Sequence, residues 1–435
     1  MLLILTSLIS TRLKYISNLM VTGMLGIDVR LTTSREEFIS CSGPKIVYST
    51  EPLVDGLFIQ ASELLFQTSF IHHDVKCTSF NGVPVLFGMT HPMSALPFDP
   101  FAAAFYMVSR FEEYHSHKKD NFGRYPASES IAWKGRFLEI PIVHLWTGKL
   151  ENLLLHHYPG MKIHHPEYRY VPTIDIDHAW CYLGRSFART LGGIGRSVMR
   201  LQLPEIETRF KVLAGVAPDP YDNYDFIESV HEPFANFPLY FVLFADYGMN
   251  DNNVTVTSAK FTRLLLNLDK HGSVGIHPSL SSNKHLLKFE DEYEGLCAAL
   301  NRDVSISRQH FLKLSMPKTY RTLVQFGITD DYSMGYASHP GFRAGIAIPF
   351  SFYDIERDEV SSLVIHPVSL MDVTMKDYLR LSQVESLEKI ADMIKTIKSV
   401  NGEFVSLWHN ESLGDTGRWK GWRAVYAEMV KQASS

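Results

Sequence analysis

After residue 170, short apolar runs of strand length repeatedly stop on side chains that titrate or bind metals, and helical stretches fill the intervals. The clearest is Val171-Pro172-Thr173-Ile174-Asp175-Ile176-Asp177-His178. With a strand's period of two, Asp175 and Asp177 point to one side while Ile174 and Ile176 face the other, into a core. Two carboxylates held that close cost free energy unless a cation, an arginine or a shared proton compensates them. An Asp-rich turn capping the next helix is the plainer explanation. It gives way because the pattern recurs in Val274-Gly275-Ile276-His277-Pro278-Ser279, in Ser307-Arg308-Gln309-His310-Phe311-Leu312-Lys313 and in Val405-Ser406-Leu407-Trp408-His409-Asn410. Alternating strands and helices with chemistry at the C-terminal strand ends predict an α/β barrel.

The elements between these runs follow the same rhythm. Phe237 to Phe244 lacks alternation and is rich in aromatic and β-branched residues, so it reads as a buried strand, ending near Asp246. Lys260 to His271 predicts an amphipathic helix with Phe261, Leu264, Leu265 and Leu268 on one face. Leu286 to Leu300 is the next helix. Phe326-Gly327-Ile328 leads to Asp330 and Asp331, and Val364 to Val368, with Met371-Asp372, and Phe404 to Trp408 supply the last strands. Upstream, Lys45 to Tyr48 and Val83 to Phe87 are strand-like. A helix is predicted from Asp99 to Tyr114, with Asp99 as cap, Pro100 in the first turn and Phe101, Phe105, Val108 and Phe111 at helical spacing. The charges that follow read as an internal lattice around Arg110, Glu112, Glu113 and Arg124. The chain therefore divides into a smaller α/β domain, residues 1–165, and a barrel domain, residues 166–435.

Composition narrows the function. A chain of 435 residues, 45% hydrophobic and 12% aromatic, is long enough for more than one domain with its own core. A net charge of −5 with scattered Lys and Arg leaves no basic patch to neutralise phosphates, which excludes a nucleic-acid binder. Cys41, Cys77, Cys181 and Cys297 lie far apart and read as free buried thiols in a reducing compartment. The apolar start, Met1 to Ser10, has no basic stretch before it and is followed by Arg12 and Lys14 in a helix-like pattern. It is expected to be a strand leading into a helix rather than a signal peptide. No run is expected to span a membrane, and the expected location is the cytoplasm.

Taken in order, Thr173 to Asp177, His277, Arg308 to Phe311 and Leu407 to His409 resemble the polysaccharide deacetylase superfamily, carbohydrate esterase family 4. The N-terminal segment resembles the accessory domain that precedes the deacetylase domain in a bacterial subgroup. The resemblance implies a distorted (β/α) barrel of the polysaccharide deacetylase type, and a metal-dependent hydrolase removing an acetyl group from an amino sugar or glycan. It implies Asp175 as general base, Asp177 and His277 as metal ligands, and Arg308 as the group that orients the base. Phe311 would lend a backbone N–H to the oxyanion, and His409 would protonate the leaving group. The family's second metal histidine would fall at Ser281. His310 is the expected substitute ligand and His178 its rival, completing a site for a divalent cation, with zinc the expected metal. With Ser281 in a ligand's place, the chain could also be a lapsed deacetylase that binds a glycan in surface-polysaccharide assembly. The same strand ends would also suit a glycosidase pairing Asp175 with Asp246 or Asp331, or a scaffold for glycan assembly.

Local chemistry adds substrate contacts. Arg343, in Gly341-Phe342-Arg343-Ala344-Gly345, is flanked by glycines that leave the backbone bare around a fork of donors, and is expected to meet an anion or sugar rather than bridge to Asp330 or Asp331. Tyr336, Phe342 and Trp408 are expected to offer stacking faces to a carbohydrate ring.

Overall fold

The expected first strand, β1 (Leu2–Leu5), is buried along its whole length. It sits inside a parallel sheet with β2 (Val29–Thr32), β3 (Lys45–Ser49) and β4 (Phe58–Gln60), in the order β2-β1-β3-β4. The helix Thr11–Ser17 follows β1, its first turn capped by the Ser10 side chain. A short antiparallel hairpin, β5 (Thr78–Phe80) and β6 (Val83–Val85), comes next. This is a computed structural model, and it describes residues 1–435 other than 185–189, 193–194, 196–198, 200–202, 246–247, 249–250, 252 and 271–273.

The helix predicted from Asp99 begins as expected. The Asp99 carboxylate accepts from the N–H groups of Phe101 and Ala102, both at 3.0 Å, and Pro100 occupies the first turn. It ends at Val108, however, not Tyr114. The Ser109 hydroxyl donates back to the Phe105 carbonyl at 2.6 Å, Arg110 turns left-handed with φ 54, and Phe111–Tyr114 continues as a 3₁₀ turn. That reversal turns Arg110 inward. Its Nε donates to Glu113 at 2.7 Å and its Nη2 to Glu112 at 2.8 Å.

The second sheet has nine strands: β7 (Arg169–Ile176), β8 (Leu239–Val242), β9 (Val274–Ile276), β10 (Ile306–Ser307), β11 (Asp330–Asp331), β12 (Phe350–Asp354), β13 (Glu359–Ile365), β14 (Val368–Met371) and β15 (Glu403–His409). Their order is β12-β13-β11-β10-β9-β8-β7-β15-β14, every pair parallel except β12 with β13. Only His366 and Pro367 separate β13 from β14, yet these two strands lie near opposite ends of the sheet. The sheet therefore curls into a half-barrel whose ends are one short link apart. The helix Leu286–Leu300 matches its sequence pattern, whereas the amphipathic helix runs from Ala259 to Leu268.

Strand alternation divides the core. Val171, Phe241, Val405 and Leu407 face the inside of the curl with Tyr332 and Met371, while Ile174, Ile176, Tyr240 and Trp408 face out into the main core. That core runs on to Leu2 and Ile4, so the two sheets share it. Arg12 Nε to Asp358 at 2.9 Å and the Tyr15 hydroxyl to the Ser351 carbonyl at 2.7 Å add polar links at the seam. All four cysteines are free, but none is buried and Cys77 is exposed, so the expectation of buried thiols fails. Among the described residues no helix is long and apolar enough to cross a membrane.

Inside the curl, His366 bridges Glu403 (2.7 Å) and Asp330 (2.9 Å) and stacks on Tyr332 at 4.3 Å. Burial favours the neutral ring, but the two carboxylates outweigh it and lift the His366 pKa to about 9. A raised pKa contributes stability that is complete below the unfolded value of about 6.5 and is lost as pH rises through the folded value. Melting temperature is therefore expected to fall more steeply from neutral pH to pH 9 in the wild type than in His366→Gln. Parallel curves would show that the ring carries no charge in the fold.

Candidate metal centre

The C-terminal ends of β7, β9, β10 and β15 converge on one point. Asp175 is the next-to-last residue of β7 and pairs in register with His409, the last of β15. Asp177, His277 and Arg308 each follow directly on their strands. Period two puts Asp175 and Asp177 on the inner side, as the sequence requires. The segment after β10 turns sharply, with Phe311 at φ 61, and brings His310 over the site.

Asp177, His277 and His310 each offer one ligand atom, and these atoms lie within 4.8 Å of one another. The Nδ1 of His277 is 2.6 Å from the Arg308 carbonyl and so carries the proton it donates. In the neutral ring that leaves Nε2 a lone pair, 3.3 Å from Asp177 Oδ1 and 3.7 Å from Asp175 Oδ2. Both Nε2 and Asp177 Oδ1 are buried without a hydrogen-bond partner. Two buried acceptors facing each other are unfavourable unless a cation lies between them, so these residues fit a divalent metal.

His310 is oriented in the same way. Its Nδ1 faces Asp251 Oδ1 at 2.9 Å and its Nε2 faces Asp177 Oδ2 at 3.5 Å. Asp251 Oδ1 also accepts from the Leu280 N–H at 3.0 Å, tying the His277 loop to the His310 turn. A carboxylate behind a ligating imidazole fixes its tautomer and direction. Burial opposes a charge on His310, but Asp177 and Asp251 outweigh it and raise its pKa to about 9. Burial likewise disfavours the charged Asp177, yet the surrounding imidazoles hold its pKa well below the usual carboxylate range. Ser281, where the sequence resemblance would have put a second metal histidine, bonds Ser279 at 2.9 Å. His178 sets its ring 6.4 Å from Tyr221 and is not in the converging set.

Two paired groups flank this set. Arg308, fully buried, donates from Nη1 to Asp175 Oδ1 at 2.8 Å and to Thr173 at 2.6 Å, and from Nε to the Tyr332 carbonyl at 2.8 Å. Asp175 Oδ2 is left facing His277. On the other side the His409 ring bonds Asp372 at 2.9 Å through Nδ1, and the His409 N–H donates to the same carboxylate at 2.8 Å. His409 Nε2 lies 3.9 Å from Asp177. Burial pulls the His409 pKa down, but Asp372, Asp177 and Asp175 carry it up to about 10.

Asp175, Asp177, His277, His310 and His409 line a pocket of about 190 Å³ whose walls include Phe122, Arg124, Phe311, Tyr378 and Trp419. Phe311 thus lies where a substrate contact is expected. Trp408 and Arg343 do not. Trp408 is fully buried on the outer face of β15, against Trp422 and Tyr426, with its indole N–H on the Met429 sulfur. Arg343 is 1% exposed and forks onto Glu113 at 2.8 and 2.6 Å, so no substrate reaches it. Its partner is Glu113, not Asp330 or Asp331. Tyr336 and Phe342 are buried in the main core. Arg124 is absent from the Arg110 lattice and faces the pocket instead. Asp331 is fully buried on Ser307 and Ser333, which removes it as a glycosidase partner of Asp175, and Asp246 lies outside the described residues. Sequence reasoning misses Asp251 and the role of Asp372, since neither sits in a periodic pattern with its histidine.

Residues 2–159 match the model of a family of unknown function, DUF7033. No curated protein matches the chain. Among solved structures 7 chains match. One of these, the crystal structure of a protein assigned as a polysaccharide deacetylase from Mycobacterium smegmatis, is 15% identical, with 61% of this chain and 84% of that one covered and a TM-score of 0.39. A superposition that loose fixes no residue correspondence.

Proposed function

We propose that this protein is a metal-dependent hydrolase that removes an acetyl group from an amino sugar or acetylated glycan. The observation that carries the proposal is the pair of buried, unpartnered acceptors, Asp177 Oδ1 and His277 Nε2, facing each other beside His310. Asp177, His277 and His310 would hold the cation, zinc being the best match for two imidazoles and a carboxylate. When bound, it would supply Lewis acidity toward an acyl carbonyl and make a water acidic near neutral pH.

The chain's own groups divide the proton work. Arg308 occupies Asp175 Oδ1 and holds the carboxylate still, leaving Oδ2 to accept the proton of the attacking water. His409, kept protonated through neutral pH by Asp372, gives a proton from Nε2 to the departing nitrogen or oxygen. The Phe311 N–H is the proposed oxyanion donor, and loss of one such donor costs about 3 kcal/mol of transition-state stabilisation. Tyr378, exposed at the pocket wall, offers a ring face to a sugar.

Protein purified without chelators is expected to carry about one zinc per chain and the Asp177→Ala form almost none, measured by elemental analysis after gel filtration. Wild-type protein that keeps no metal after incubation with excess zinc would sink the proposal. Metal-free protein that still bound an acetylated oligosaccharide would instead be the lapsed, binding-only form.

A further inference from the structure

We infer that the loop 119–124 and Lys313 form, at the mouth of the pocket, a subsite for an anionic substituent of the glycan, a uronate carboxylate or a phosphate. The inference rests on the proposed glycan substrate. Phe122 and Arg124 line the pocket although they belong to the N-terminal segment. Phe122 stacks on Phe311 with centroids 4.6 Å apart and planes at 19°. Arg124, 7% exposed, donates to the Phe311 carbonyl at 3.1 Å, to the Tyr378 hydroxyl at 3.1 Å and to Asp120 at 2.6 Å. The loop is thereby fixed onto the turn that carries His310.

Lys313 leaves that turn and runs back under the loop. It is 6% exposed, and a Cβ built on Gly123 would sit 3.5 Å from its ammonium nitrogen. Lys284 follows Asn283, whose side chain donates to the Lys313 carbonyl at 3.1 Å, and Lys119 precedes Asp120 at the start of the loop, so both lie beside residues that pack around Lys313. Among the described residues, Asp120 is the carboxylate that acts on Lys313. It is already engaged by Arg124 and by the N–H groups of Phe122 and Arg124. Among the described residues Lys313 has no ion pair. Lys313, with Lys119 and Lys284 on neighbouring segments, thus lacks a free carboxylate among the described residues, and an excess of one charge next to the loop whose Phe122 and Arg124 line the pocket is unfavourable until a counter-charge arrives.

The test is calorimetric binding to the zinc-loaded Asp175→Asn protein, which does not turn over its ligand. Three probes are needed: chitotetraose as the neutral glycan, a hyaluronan tetrasaccharide for uronate, and N-acetylglucosamine 6-phosphate for phosphate. At least one acidic probe is expected to bind about tenfold tighter than chitotetraose at low salt, with the gap closing as salt is raised. The gap is also expected to close in the double variant Lys119→Ala, Lys284→Ala, both exposed positions, and in Lys313→Met, with chitotetraose affinity unchanged. Which acidic probe gains decides between carboxylate and phosphate. Equal affinities, no binding of any probe, or a gap that survives the lysine substitutions overturns the inference. Acetate release by wild-type protein is measured separately. Release without charge preference overturns the subsite and leaves the hydrolase reading standing, whereas charge preference without release does the reverse.

Discussion

Replacing Asp175 with Asn is expected to lower acetate release by about 10² to 10⁴ while metal content stays at the wild-type level, because a general base is worth that much in rate. Asn keeps the size of the side chain and an oxygen for Arg308, but it cannot accept a proton. The ligand set of Asp177, His277 and His310 does not include it. Stability is expected to move as well. Arg308 is fully buried, and its bonds to Thr173 and the Tyr332 carbonyl survive the change while its counter-charge does not. The variant should therefore melt several degrees lower and still bind zinc. Acetate release near the wild-type rate would remove Asp175 from the mechanism, and loss of zinc along with activity would recast it as a ligand.

What is legible in the sequence and what is hidden there have the same cause. Asp175, Asp177, His277, Arg308, His310 and His409 sit at strand ends, where period-two alternation and the abrupt stop of an apolar run declare which way a side chain points. The same rule, applied one residue earlier on the last strand, turns Trp408 away from His409 and into the helix Trp422–Ser434. Its aromatic character suggests a sugar contact only while that rule is ignored. Asp251 and Asp372 support their histidines across 59 and 37 residues, and no local pattern announces a pairing of that span. The glycines around Arg343 mislead for a similar reason. At Gly341, with φ 126, a Cβ would lie 2.4 Å from the Leu138 carbonyl oxygen, and at Gly345 it would press on Ile142 and Met107. Both serve close approach of the N-terminal segment, not of a ligand.

That close approach supports the expected result with the largest effect on stability. Glu113, buried, lies between two buried guanidinium groups, accepting from Arg110 at 2.7 Å and from Arg343 at 2.8 and 2.6 Å. Arg110 also donates to the Arg343 carbonyl, so one carboxylate ties the end of the helix Pro100–Val108 to the loop after β11. Burial alone would raise the Glu113 pKa, but Arg343 and Arg110 outweigh it and hold it at about 2. A depressed carboxylate contributes stability that is present above its unfolded value of about 4.3 and is lost as pH falls through the folded one. Glu113→Ala should therefore cost about 3 to 5 kcal/mol in denaturant unfolding at neutral pH, since it strands two buried cations. Much less of that loss should be visible near pH 2. Pairing it with Arg343→Met is expected to restore part of the loss, because the second change removes one of the stranded charges. Zinc content per folded chain should stay constant throughout. A single-variant cost below about 1 kcal/mol would mean that water reaches the lattice and screens it.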